Sequence, residues 1–381
     1  MEPHNPSEQS AEDPTITLLE TYNSLNPSTI TTLTSLPSPL EFLRFVAQNR
    51  PFVIRGGAAG WKAVREWNVA SLKEVLDGVS VNVAVTPIGN ADSPVKSPTT
   101  NELLFVKPHE EQQLFSTFLD FIIDQEKAIS SSSNDASSSN TKEIPGGEVR
   151  YAQTQNDNLP SEYALLSPCI PPSIPFSRIA LSSQPDAVNL WIGNSLSVTA
   201  LHKDNYENIY VQIIGQKHFV LSPPVAWAGV GERVLKGARY CRRGPISPSP
   251  SLSTEITVPE ISEAKEDESK EAGRKRQKFD IIEEEGDSVP FATWDPDSSL
   301  SVEEGNGTKY SRFVEPVRVT LEEGDMLYLP ALWYHKVSQS CSGEGICVAV
   351  NYWHDMEFGG GFWPMCNFIR DVGLAEAARQ G

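Results

Sequence analysis

The chain has 381 residues with 31 Lys and Arg against 50 Asp and Glu, and its net charge of −19 argues against a general role on nucleic acid, where affinity rests on neutralised phosphates. Its five cysteines, Cys169, Cys241, Cys341, Cys347 and Cys366, form no CxxC pair and no even set, which argues against a zinc cluster or disulfide scaffold and suits a reducing compartment. No signal-peptide pattern and no apolar run long enough to cross a bilayer is visible, so a soluble intracellular protein is expected, and the acidic balance suits basic protein substrates.

Residues 1–14 are polar and read as disordered. Helical spacing covers Ile16 to Leu25 and Pro39 to Asn49, the second with Phe42, Leu43, Phe45 and Val46 on one broad apolar face. Pro51 to Arg55 reads as a buried strand ended by Gly56-Gly57, and Trp61, Val64 and Trp67 read as core. A strand is predicted over Val81 to Val85, an amphipathic helix over Gln112 to Ile123, a flexible Ser/Asn-rich loop over Ser130 to Asn140, and a strand again over Val149 to Gln153. Strands dominate from Ala187 to Leu221, until Pro223-Pro224 stops the sheet.

Residues 245–308 break this pattern. They are Pro/Ser-rich and then acidic, and residues 251–310 hold 16 Asp or Glu against 7 Lys or Arg, which is −9 of the −19. They read as an insertion between two strands of one domain spanning residues 15–381, since loop-closure entropy rises only slowly with length. The embedded cluster Arg274-Lys275-Arg276-Gln277-Lys278 is either a nuclear localisation signal or a solvated charge run, which leaves cytoplasmic and nuclear residence both open. Val317 to Leu321, Met326 to Leu329 and Ile346 to Trp353 resume the strands, and Phe362 to Ala378 reads as a C-terminal helix. Short strands without βαβ alternation predict a mainly β protein: a double-stranded β-helix, the jelly-roll or cupin-like barrel, with flanking α-helices.

The chemistry concentrates between Thr199 and Phe219. Side chains alternate along a strand, so His202 and Asp204 project to one face. Ile209 to Ile214 reads as a strand, Gly215-Gln216 as a two-residue hairpin turn, and Lys217 to Leu221 as the return strand. If the run is continuous, His202, Asp204, Asn208, Tyr210 and Lys217 share a face. His335 can complete a set of two His and one carboxylate, the facial triad of non-haem Fe(II) oxygenases. An isolated H-x-D pair is more often a structural contact than a ligand pair, and a lysine in a turn is ordinarily a surface residue.

The HxD pair, the lysine fifteen positions after His202, and the block Gly324-Asp325-Met326-Leu327-Tyr328-Leu329-Pro330 through His335 to Val337 resemble the JmjC-domain 2-oxoglutarate oxygenases. Phe52 to Gly56, Val83 to Asp92, Tyr151 to Gln153 and His202 to Phe219 resemble a lysyl hydroxylase subfamily among them. The resemblance implies that His202, Asp204 and His335 bind Fe(II) and that 2-oxoglutarate and O2 are co-substrates, with succinate and CO2 released. It implies Lys217 as the cation for the distal carboxylate of 2-oxoglutarate and Thr199 and Tyr151 as hydroxyl donors to it. Strand parity does not place Thr199, which needs a bulge or bend before His202. Asn208 and Asn351 match polar positions near the other carboxylate, or are ordinary core amides. Among the remaining histidines, His218 should face away from Lys217, and His354 lies beyond the last strand.

The resemblance further implies a protein substrate with a target lysine, with TRAFAC-class GTPases as its class, and often a homodimer built by terminal elements. Packing of the C-terminal helix on its own barrel fits the sequence equally well. Two alternatives to lysyl hydroxylation remain open: a lysine demethylase using the same iron chemistry, and a cupin-like interaction module without turnover. No zinc cluster or chromatin-reader segment supports a histone demethylase, and no nucleophile constellation supports a peptidase.

Overall fold

The structure, a computed structural model, describes residues 13–132, 144–243, 278–298 and 305–380. Residues 1–12, Ser133 to Asn140 of the expected loop, and Arg274 to Gln277 of the basic cluster lie outside the described residues, while Ser130 to Ser132, also expected in that loop, continue a helix. Asp13, at the edge of the first of these, caps the helix Pro14–Leu25 by accepting from the Thr15 amide at 3.0 Å.

The centre is two sheets between which the chain alternates. Ala187–Gly193, Tyr206–Ile214, Met326–Leu329 and Cys347–Asp355 belong to the larger sheet; Thr199–His202, Gln216–Ser222, Val317–Leu321 and Tyr334–Ser340 form the smaller. All the pairings among them are antiparallel. This alternation is the double-stranded β-helix of a jelly roll, and Tyr210, Leu327 and Ala349 from one sheet share a core with Phe219, Leu221 and Val337 from the other. Thr31–Leu33 and Phe52–Ile54 extend the larger sheet to six strands.

Helices cover the larger sheet's outer face, so the β-branched run Ile209 to Ile214 is buried on both sides rather than alternating. Pro39–Gln48 starts with a capping box between Ser38 and Glu41, and its Phe42 is fully buried against Phe52, Phe176 and Tyr328. That burial contributes about 1.5–3 kcal/mol. Leu43, expected on the same apolar face, is instead 43% exposed.

Gly215 is not part of a hairpin. Tyr206–Ile214 and Gln216–Ser222 belong to different sheets, and Gly215, at φ +74°, is the corner between them. A Cβ there would lie 2.7 Å from the Ser340 carbonyl oxygen, so the change of layer requires glycine. Lys217 therefore pairs with Leu321 and Gln339, not with Ile214. The extended run is also broken at residues 203–205, where the chain passes from the smaller sheet to the larger.

Two further sheets flank the barrel. Ser80–Thr86 pairs with His109–Leu114 and Val149–Tyr151, so Gln112, Gln113 and Leu114 are strand, and the helix predicted from Gln112 runs from Phe115 to Ser132. Its Phe115, Phe118, Leu119 and Ile122 are buried, as their spacing predicts. Cross-strand partners on Ser80 to Asn82 outweigh local propensity at the junction. Arg233–Arg242 pairs with Phe279–Phe291, so that part of the segment read as an insertion is a structural strand. Among the described residues no helix is long and apolar enough to cross a membrane.

Candidate metal centre and active site

His202 ends one strand of the smaller sheet, and His335 stands directly opposite it on the next. Asp204 lies in the crossing segment, whose carbonyl accepts from the Leu332 amide at 2.8 Å, tying it to the Pro330–Trp333 turn that leads into His335. The Nε2 atoms of both histidines are 3.7 Å from Asp204 Oδ2, and the two rings are 4.1 Å apart between centroids. Their ligand atoms all lie within 4.8 Å of one another.

Second partners fix the tautomers. Nδ1–H of His202 donates to the Ala200 carbonyl at 2.8 Å, and Nδ1–H of His335 donates to the Trp333 carbonyl at 3.0 Å, which leaves each Nε2 with its lone pair toward Asp204. Burial, and then the neighbouring His202, push the His335 pKa down to about 4, so its imidazole is neutral, as a metal ligand must be. Two imidazole nitrogens and one carboxylate in this arrangement form a donor set suited to Fe(II) with positions left open.

Behind the triad an inner cavity is lined by all eight residues singled out in the sequence: Thr199, His202, Asp204, Asn208, Lys217, His335, Asn351 and Tyr151. Between Thr199 and His202 the register slips by one against Val337 and His335, the irregularity that Thr199 needs to reach this cavity. Lys217 is 3% exposed and its Nζ donates to the Tyr151 hydroxyl at 3.0 Å. Among the described residues no carboxylate pairs with it, and a buried ammonium without a counter-charge is costly. Tyr210 also lines the cavity; burial holds its phenol and that of Tyr151 above the usual range, so both stay protonated as donors. Asn351 donates to Asn208 Oδ1 at 3.2 Å and accepts from Trp191 Nε1 at 2.8 Å, which leaves the Asn208 amide nitrogen without a partner among the described residues.

In front of the triad opens a cleft of about 630 Å³ that includes His202, Asp204, Asp92, Gln153, Trp191, Glu232 and Arg370. Its buried Glu232 accepts from Lys203 Nζ at 3.0 Å and from the Tyr334 hydroxyl at 2.8 Å, and it pairs with Arg370 on the C-terminal helix. Lys203 and Tyr334 adjoin the triad in sequence, so this network fastens the helix to the ligand-bearing strands. The sequence reading missed Glu232, Trp191 and Asp92. Only Asp92 stood in a stretch already marked by resemblance.

His218 faces away, bonded to Thr320 at 2.9 Å and Ser340 at 2.8 Å. His354 lies within the strand Cys347–Asp355 rather than beyond it, fully buried between Ser177 and Ser183 at 3.3 Å each, and this strand pairing takes it away from the triad. Asp325 of the Gly-Asp turn is structural: its carboxylate accepts from the amides of Gly56 and Glu322 at 2.9 Å each, joining two of the stretches that carried the resemblance.

Residues 38–360 match the Cupin-like domain family. The chain is 33% identical over 334 residues to the human bifunctional peptidase and (3S)-lysyl hydroxylase JMJD7, covering 87% of this chain and 86% of that protein. It is 32% identical to the Arabidopsis thaliana lysine-specific demethylase JMJ32, over 85% of this chain and 81% of the relative, and 30% identical to JmjC domain-containing protein E of Dictyostelium discoideum, over 85% and 83%.

Proposed function

Because the chain belongs to the cupin-like, JmjC-domain family, we propose that it is a 2-oxoglutarate-dependent protein hydroxylase that places an oxygen atom on a lysine side chain of a protein substrate. The observation that carries this reading is Lys217, a buried ammonium with no carboxylate of its own, lining the same cavity as the His/Asp/His set. A dicarboxylate lying between them answers both needs, one carboxylate on the cation and the other end at the metal. His202, Asp204 and His335 would hold Fe(II). When bound, Fe(II) with 2-oxoglutarate supplies the oxidising chemistry that consumes O2, releases succinate and CO2, and delivers one oxygen atom to a substrate C–H bond.

The chain's own part is positioning. The Ala200 and Trp333 carbonyls fix the imidazole orientations, so the ligand atoms need little rearrangement. Lys217, Tyr151 and Thr199 would grip the distal carboxylate, and the Asn208 amide would donate to the proximal one. Trp191 bonds Asn351 and borders both the inner cavity and the outer cleft, so its ring forms part of the wall between them. The subsidiary proposals are a TRAFAC-class GTPase as substrate and a homodimer through the C-terminal helix, whose Phe362, Met365, Phe368 and Val372 are exposed.

Similarity to a plant protein named as a lysine-specific demethylase favours a second reading, in which an N-methyl group is the site attacked. Mass spectrometry separates the two. A lysine peptide from a TRAFAC-class GTPase, incubated with protein, Fe(II), 2-oxoglutarate and O2, gains one oxygen under the hydroxylase reading. Loss of methyl mass from a methyl-lysine peptide, with the unmodified peptide unchanged, overturns it in favour of the demethylase.

A further inference from the structure

Two of the stretches that marked the lysyl hydroxylase resemblance, Val83 to Asp92 and Tyr151 to Gln153, meet at one hydrogen bond: Gln153 Nε2 donates to Asp92 Oδ2 at 2.8 Å. We propose that Asp92 is the carboxylate that receives the ammonium of the substrate lysine in the cleft before the metal triad. This rests on the lysyl-group reading above and adds the residue that selects the substrate.

The loop carrying Asp92 is anchored to the segment that leads into the strand carrying the first ligand. Gly89 stands at φ +82°, where a Cβ would lie 2.0 Å from the Leu196 carbonyl oxygen, and its own carbonyl accepts from the Val198 amide at 3.0 Å. Its amide donates to Thr86 Oγ1 at 2.9 Å, and Asn90 Nδ2 donates to the Tyr240 hydroxyl at 3.0 Å. Asp92 thus borders the same cleft as His202 and Asp204.

The charge balance of that cleft selects the ligand. Its two cations, Lys203 and Arg370, are both committed to Glu232. The nearby Lys107 is bonded to Glu284 at 2.9 Å and Asp287 at 2.7 Å. Asp92 and Glu110, which also line the cleft, have no cation within 4.0 Å among the described residues. Burial raises the Asp92 pKa, and the Gln153 hydrogen bond and the more distant His202 and Lys107 only partly offset it, so this desolvated carboxylate has no cation in contact to compensate it. The walls beside it include Trp191, Trp227, Phe291 and Trp363, apolar surfaces that suit the aliphatic stem of a lysine.

A primary ammonium brings three N–H donors and a full charge, whereas a trimethylated one brings charge without donors. An ammonium seated on Asp92 presents its methylene carbons, rather than its nitrogen substituents, to the triad. Asp92 therefore discriminates in favour of the unmethylated side chain.

The test compares binding of a lysine peptide from a TRAFAC-class GTPase with its norleucine counterpart, by calorimetry, on protein loaded with Mn(II) and 2-oxoglutarate without O2. The native protein should prefer lysine by about tenfold or more, and Asp92→Asn should reduce that preference to about twofold or less. Asparagine keeps the volume, can still accept from Gln153 and tolerates the left-handed backbone at φ 48°, so the fold survives the change. Glu110→Gln, at an exposed neighbour, measures the general effect of cleft charge. A lysine preference that persists in Asp92→Asn, or an equal loss in both variants, overturns the assignment. If Asp92-dependent binding is found but no oxygen is added to lysine, the hydroxylase reading falls while Asp92 stands as the anchor.

Discussion

His202 and His335 stand opposite one another on paired strands of the smaller sheet, although 133 positions separate them in the sequence. Their rings approach to 4.1 Å because the sheet holds both backbones, and each ring is turned by a carbonyl two residues before it. The centre is therefore built by strand pairing, and Asp204 is added by the chain as it crosses to the other sheet.

Removing a ligand leaves the pairing in place. His202→Ala and Asp204→Ala should fold, yet lose Fe(II) binding and 2-oxoglutarate consumption to below detection. Metal titration followed spectroscopically checks the first loss and succinate formation the second. Full turnover in either variant would remove that residue from the metal site.

Lys217→Met exchanges the buried ammonium for an apolar chain of similar length. Without ligands the variant should be more stable by about 1–2 kcal/mol, because an uncompensated charge is no longer buried. The KM for 2-oxoglutarate should rise about 10- to 100-fold, the usual worth of a charge-assisted hydrogen bond. Thermal melting and initial-rate kinetics measure the two opposed effects.

Gly193 lets the Tyr151 ring lie against the strand. An added Cβ would meet Tyr151 Cδ2 at 2.5 Å and Gln339 Nε2 at 2.8 Å. Gly193→Ala should thus displace the ring, cost about 1–3 kcal/mol of stability through overpacking, and weaken 2-oxoglutarate binding. An unchanged KM would show that Tyr151 does not touch the co-substrate.

Glu232 ties acid stability to the C-terminal helix. Burial opposes its ionisation, but Lys203, Tyr334 and Arg370 together hold its pKa below the ordinary carboxylate value. A folded pKa below the unfolded one gives stability that is present above the unfolded value and is lost as pH falls through the folded value. Glu232→Gln should lower stability at neutral pH by about 3–5 kcal/mol, since it leaves Lys203 without a carboxylate and Arg370 with only the exposed Asp371, and should flatten the acid limb of the stability profile. Denaturant titrations at neutral and acid pH read both effects.

Residues 244–277 can be replaced by Asn-Gly. The strands on either side pair directly, and the Arg243 amide donates to the Lys278 carbonyl at 3.0 Å at the end of that pairing. Turnover should persist in this variant, whereas removal of residues 279–291 as well should abolish it, because Phe291 lines the cleft and the strand completes a sheet. Loss of folding in the shorter deletion would show that the segment belongs to the core.

The sequence by itself determined the chemistry and the class of fold. His202, Asp204, Lys217 and the block ending at His335 specify donor types, and short β-branched runs without helical crossovers specify a jelly roll, because both signals are local in the chain. It did not determine how the residues meet. Parity along one continuous strand with a hairpin at Gly215 would place His202, Asn208, Tyr210 and Lys217 on one face of one sheet, but the strand breaks after His202 and Gly215 turns the chain back, so Asn208 and Tyr210 stand on the larger sheet and His202 and Lys217 on the smaller. The two pairs converge because the inward faces of opposing sheets converge, which only the closed barrel decides. The pairing of residues 279–291 with 233–242, the turn of His354 away from the centre, and the approach of Asp92, Gln153 and Glu232 to the cleft belong to tertiary structure for the same reason. Each depends on a partner far away in sequence, and neither hydrophobic periodicity nor local propensity carries that information.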